Sequence, residues 1–168
     1  MMKRKIVVAF IALCLVISLT IPASEAVGSA CFTAINNTLM PLDNSTIPVI
    51  IGSLLYIPGA FFSIGQLGVR HFEKDNQVLL YRDSKFLLFD AVRGTVYDQD
   101  NNRLSISAVK RNGIIYVPVD QVCGFFNLSY SVISANPAPV VRFISSSSVN
   151  SDTTFVELYK TMMQEYYN

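Results

Sequence analysis

Leu54-Leu55-Tyr56-Ile57-Pro58 returns sixty positions later as Ile114-Ile115-Tyr116-Val117-Pro118, aligned without a gap. Each copy is a short apolar run closed by proline, then a stretch of helix-like apolar spacing, then a second β-prone run. In the first copy Phe61, Phe62 and Ile64 follow the proline and Gly68 closes the stretch; in the second, Val122, Phe125 and Phe126 follow and Asn127 closes it. Proline is tolerated in the first helical turn, where its missing N–H would have no intrahelical partner. Glycine or asparagine supplies the left-handed residue that ends a helix. Both copies therefore read as strand, short helix, left-handed stop, strand: one supersecondary unit used twice, over about 45–81 and 104–144.

Outward from the two copies, turn residues punctuate β-prone runs at the spacing of an antiparallel meander. Asn112-Gly113 is the strongest hairpin signal and joins 108–111 to the second copy, while Gly52-Ser53 joins 47–51 to the first. Asn36-Asn37 turns 31–35 into 38–42, and Asp75-Asn76 turns 69–72 into 78–81. Between the copies, 86–92 and 95–97 flank Arg93-Gly94, residues 98–102 form a polar turn, and Leu104, Ile106 and Ala108 alternate with polar neighbours. After the second helix, 128–133 and 140–144 pair around Asn136, Pro137 and Pro139. Serine-rich 145–153 reads as a linker. Residues 154–168 then carry Phe155, Leu158, Tyr159, Met162, Met163 and Tyr166 at helical spacing behind a Thr154/Glu157 capping box. Such a one-sided helix must bury its stripe, on its own domain or on another chain.

Lys3, Arg4 and Lys5 precede an apolar run over 6–21, broken by Ser18 and Thr20, and a small polar end over 22–26. This is the layout of a secretory signal, cleaved after Ala26; its middle is short for a membrane-spanning helix. An uncleaved anchor is the alternative, and membrane contact would then run through this segment alone. Gly28-Ser29-Ala30-Cys31 is a poor lipobox, with Gly28 where an aliphatic residue belongs. Removing 1–26 takes three of the 13 Lys+Arg and one of the 12 Asp+Glu, leaving 10 against 11. A near-neutral exported chain lacks the basic footprint of nucleic-acid binding. Of three cysteines, Cys14 leaves with the signal; Cys31 and Cys123 remain, either as a disulfide tying the first strand to the second helix or as two buried thiols.

Catalytic constellations are scarce. His71 is the single histidine, so a His-based metal triad cannot be assembled within one chain. Asp98, Asp100 and Asn102 open like a calcium loop, but Arg103 stands where the sharp turn needs glycine and Val109 where a bidentate glutamate belongs. Ser107 to Lys110 has serine–lysine spacing but lies on an expected strand rather than on the helix that chemistry requires. Asn36, Asn44 and Asn127 each match the glycosylation acceptor pattern, which matters only in a host that modifies secreted asparagines. Tyr56 and Tyr116, the matched aromatics, are either core residues or a sugar-stacking face.

An asparagine-glycine turn, an apolar strand ending in valine-proline, a short helix and a following strand resemble the copper amine oxidase N-terminal-like, or stalk, domain. The pattern is clearest over Asn112 to Phe126, looser over Gly52 to Gly68, and extends over about 30–144. The resemblance implies an exported, often bacterial domain: an antiparallel sheet curled around a helix, without the oxidase's copper or quinone and so without a cofactor. The expected fold is α+β, two strand–short helix–strand units in antiparallel sheets curled around short helices, plus the C-terminal helix. The expected function is a non-catalytic envelope or secreted module that binds or positions, with cell-wall polysaccharide or an envelope protein as partner. Its expected contact surface is Tyr56, Tyr116 and the stripe Phe155, Tyr159, Met162 and Tyr166. The alternative is an accessory segment of a wall polysaccharide deacetylase or hydrolase.

Overall fold

A computed structural model describes residues 31–147 and 149–167, with only the backbone of 166 and 167; the expected signal segment lies outside them. Among the described residues three sheets and two α-helices make an α+β fold. The strands are β1 (Phe32–Ile35), β2 (Thr38–Leu39), β3 (Val49–Ile51), β4 (Leu54–Pro58), β5 (Arg70–Lys74), β6 (Gln77–Arg82) and β7 (Lys85–Asp90). They continue with β8 (Thr95–Asp98), β9 (Arg103–Leu104), β10 (Val109–Arg111), β11 (Ile114–Pro118), β12 (Ser129–Ile133) and β13 (Val140–Ile144). The helices are α1 (Val119–Phe126) and α2 (Asp152–Tyr167).

The duplicated phrase lies at the centre. β10–β11 and β3–β4 are hairpins of one four-stranded sheet, ordered β10-β11-β4-β3. Asn112 and Gly113 both have positive φ, the geometry of the hairpin turn that matches strand twist. β4 and β11 pair antiparallel as Tyr116 with Pro58, Val117 with Ile57 and Pro118 with Tyr56. Since Ile57 and Val117 are equivalent positions, the two copies are related by a local two-fold axis through that pair. The outer hairpins obey it too, Ile51 facing Leu54 as Arg111 faces Ile114.

The copies diverge after the proline. α1 is a regular helix stopped by Asn127 in the left-handed region, its N–H returning to Cys123 and Gly124. In the first copy the expected helix is two 3-10 turns, Gly59–Ser63 and Gly65–Leu67, separated by extended Ile64 and stopped by left-handed Gly68. Two glycines lower helix propensity there, and adjacent Phe61 and Phe62 are both sunk in the core.

β5 to β9 form a five-stranded antiparallel meander in sequence order. A third sheet runs β12-β13-β1-β2, and in it β1 and β13 are parallel, Phe32 beside Val140 and Ile35 beside Phe143. That pairing departs from the expected meander. Val78, Leu80, Leu87, Phe89 and Val96 from the meander meet Ile57, Val117, Val122 and Phe143 in one core. A second, smaller cluster lies under α2, where Phe155, Tyr159 and Met163 cover Ala34, Ile133 and Val140. Phe155, Tyr159 and Met163 of the α2 stripe are thus buried on their own domain, while Leu158 is exposed.

α2 begins two residues before the expected cap. Ser151 caps it, its hydroxyl accepting the Thr154 N–H at 3.2 Å and its carbonyl the Phe155 N–H at 2.9 Å. The serine-rich stretch before it is pinned to the first turn: Asn36 Oδ1 accepts the Ser145 N–H at 2.9 Å and Asn37 Oδ1 the Asn150 N–H at 3.1 Å. Arg142 of β13 completes the anchorage. It donates to the Asn36 carbonyl at 2.6 Å, to Asn37 Oδ1 and the Asn150 carbonyl at 2.8 Å, and to Asp152 at 2.7 Å, with its guanidinium 4.4 Å from the Phe155 ring centre.

Candidate functional site

Most of the expected contact surface is interior. Tyr56 is 5% and Tyr116 8% exposed, because β4 and β11 are covered on both faces from residue 56 and residue 115 to their ends. Phe155 and Tyr159 are fully buried in the cluster under α2. Met162, partly buried, borders an apolar groove of about 410 Å³ with Phe32, Leu39, Met40 and Leu42. The Tyr166 side chain lies outside what is described. Cys31 and Cys123 are buried and unbonded. Burial, with the Asp120 carboxylate adding to it, pushes the Cys123 thiol up to about 12; burial also raises Cys31. In both, burial disfavours the thiolate, the reactive form.

The open aromatic surface is elsewhere, on the outer face of the five-stranded sheet. With Val78, Leu80, Leu87, Phe89 and Val96 facing the core, strand alternation puts Leu79, Tyr81, Phe86, Leu88 and Tyr97 on the other side. Cross-strand register orders them into rows. One row runs across all five strands: Phe72, Leu79, Leu88, Tyr97, Arg103. Beside it lie Arg70, Tyr81 and Phe86, and on its other flank Lys74, Gln77, Asp90 and Thr95. Phe72 is 58% exposed, and the rest of the apolar row is half-buried. A shallow depression of about 390 Å³ lies among Phe72, Leu79, Tyr81 and Phe86, with Asp83 and Lys85 at its rim.

Polar groups that could do chemistry are committed to structure. Asp98 Oδ1 accepts the N–H groups of Asp100 and Asn102 at 3.0 and 2.8 Å, and Oδ2 accepts the Asn102 amide at 3.1 Å. Those bonds, the Asn102 side chain first, hold its carboxyl below the usual range. Asp90 closes the 90–93 turn by accepting the N–H groups of Val92 and Arg93. Among the described residues no group of three or more histidine, cysteine or acidic side chains is placed to hold a metal ion.

His71 faces inward from β5 opposite Leu80, its Nε2 3.6 Å from Glu73 and without a hydrogen-bond partner among the described residues. Burial lowers its pKa below 6.5, outweighing the Glu73 carboxylate. A histidine whose folded pKa is depressed stabilises the fold fully above its unfolded value, and that contribution is lost as pH falls below it. Wild type should therefore lose stability from about pH 6.5 downward, before the carboxylates titrate, and His71→Gln should flatten that limb. Urea midpoints measured between pH 5 and 8 decide it; parallel curves for the two proteins would refute the assignment.

Comparison of the chain with protein-family models, curated proteins and solved structures finds no match. Among the described residues no helix is long and apolar enough to cross a membrane. The aromatic face had a signal in the sequence. Val78 to Tyr81 and Phe86 to Phe89 are apolar at every position, and only one parity of a strand can face a single core.

Proposed function

We propose that this chain is a non-catalytic module of the secreted or envelope space that binds or positions, and that the open face of β5 to β9 is its contact surface. The carrying observation is the row Phe72, Leu79, Leu88, Tyr97: apolar side chains in register across four strands, left uncovered while Tyr56 and Tyr116 are interior. Contiguous exposed apolar area of this kind marks binding surfaces on soluble domains. The signal-like leader and the stalk-domain resemblance support an envelope partner, cell-wall glycan or a protein attached to it.

The test is co-sedimentation of the mature chain, residues 27–168, with insoluble envelope fragments of the cell that makes it. Wild type is expected in the pellet, and Phe72→Ser/Tyr97→Ser about tenfold less so, a loss of about 1.4 kcal/mol, with an unchanged urea midpoint. Equal sedimentation of the two would remove the face from the reading.

A further inference from the structure

The five-stranded face is cationic as well as aromatic. Arg70, Lys74 and Arg103 are exposed and belong to its rows, and none of the three has a carboxylate partner among the described residues. The single acid in those rows, Asp90, is engaged by Gln77 and by the backbone of its own turn. Two further acids, Asp75 and Asp83, sit in the hairpin turns at opposite ends of β6, and Asp83 lies 4.0 Å from Arg82. The chain after residue 26 carries 10 basic against 11 acidic residues, so three unpaired cations around one aromatic row depart from its average.

The row is a track as well as a patch. Strands lie about 4.8 Å apart, so Phe72 to Tyr97 covers about 14 Å across three such spacings. Arg103 continues the row past Tyr97 and borders a second depression, about 380 Å³, with Gly94, Ser105 and Ser107. At the other end Arg70 stands over the Tyr81 ring at 5.8 Å, beside the Phe72 depression.

We propose that this face binds a carboxylate-bearing polysaccharide laid across the strands, its sugar rings against Phe72, Leu88 and Tyr97 and its carboxylates against Arg70, Lys74 and Arg103. Pyranose rings present flat C–H faces that pack on aromatic and aliphatic side chains, and the guanidinium fork matches a carboxylate. A polyol-phosphate chain would satisfy the cations but has no ring for the row. A membrane surface would be gripped by apolar side chains that protrude into it, and within the rows of this face Phe72 is the one apolar side chain that is well exposed. This inference rests on the binding-module reading above and narrows its partner.

Polygalacturonate and its methyl ester share one backbone and differ in charge, so they separate the two contributions. The mature chain is expected to bind polygalacturonate about tenfold tighter than the ester, a 1.4 kcal/mol difference, and added salt should narrow the gap. Arg70→Gln/Lys74→Gln/Arg103→Gln should bring polygalacturonate down to the level of the ester, whose binding it leaves unchanged. Phe72→Ser/Tyr97→Ser should weaken both polymers alike. Equal affinity of wild type for the two polymers, no binding of either, or binding that ignores these substitutions overturns the inference. Binding to phosphatidylglycerol vesicles in preference to polygalacturonate overturns it in favour of a membrane surface. If envelope fragments are still bound through the face in any of these cases, the module reading stands and only the carboxylate partner falls; if they are not, the module reading falls as well.

Discussion

Arg142→Met is expected to destabilise the protein by about 3–5 kcal/mol, the range for breaking a buried charged network from one side. Arg142 is 1% exposed and is shared by four acceptors from three parts of the chain: the Asn36–Asn37 turn, the segment before α2, and Asp152 in its first turn. The Asp152 side chain is half exposed and can return to water. Its ion pair is therefore the smaller part of the loss. The larger part comes from the Asn36 and Asn150 carbonyls, left beside a methyl group in place of their guanidinium donor, and from the lost stacking on Phe155; the Asn37 amide oxygen keeps the Asn150 N–H. Arg142→Lys keeps the charge but cannot span the same acceptors, so it should fall between the two. Urea unfolding with linear extrapolation measures the effect, and protease sensitivity of α2 shows whether the helix detaches first. A Met variant within about 1 kcal/mol of wild type, the size of an ordinary substitution, would mean that α2 is held by its apolar face alone.

The adjacent residue should matter as much for the opposite face of the same strand. Phe143→Ala is expected to cost about 3–5 kcal/mol. Its ring lies 4.8 Å from that of Phe61, 5.9 Å from Phe62 and 6.0 Å from Tyr130. It thus joins the 3-10 turns of the first copy to the last sheet. Removing it leaves a void walled by rings anchored on separate elements, which cannot all move in to fill it. Phe143→Leu retains most of the volume and should cost about 1–2 kcal/mol. Calorimetric or urea unfolding of both variants checks the order; an alanine variant no worse than the leucine one would show that the three rings close the gap.

The hairpins were legible because their turns are chemically explicit. Asn36, Asp75, Asn76, Gly94, Asn112 and Gly113 all have positive φ, as do the two stops Gly68 and Asn127. Local chemistry sets those angles, so sequence reveals them. What it hides is set by distant partners. The parallel β1–β13 pair joins Phe32 to Val140, and nothing near either residue announces the other. Tyr56 and Tyr116 invited a surface reading because tyrosine suits half-open strands. Their neighbours Ile57, Pro58, Val117 and Pro118 are buried as well, and a run buried on both sides carries no alternation from which to read direction. The candidate face went unread for a related reason. Phe72 and Tyr97 lie 25 positions apart in sequence and become neighbours in one row only once three strand registers are fixed.

The β1–β13 ladder also orders events in time. A chain emerging N-terminus first delivers Phe32–Ile35 early, yet the strand that flanks it in parallel is Val140–Ile144, near the other end. The meander of β5 to β9 can assemble from neighbouring hairpins at little loop-closure cost. Until the last strand arrives, β1 keeps one edge unzipped, with buried-type side chains Ala34 and Ile35 waiting beside it. The domain is latched by a strand from far along the chain, and during synthesis β1 is the segment a holding chaperone would have to shield longest.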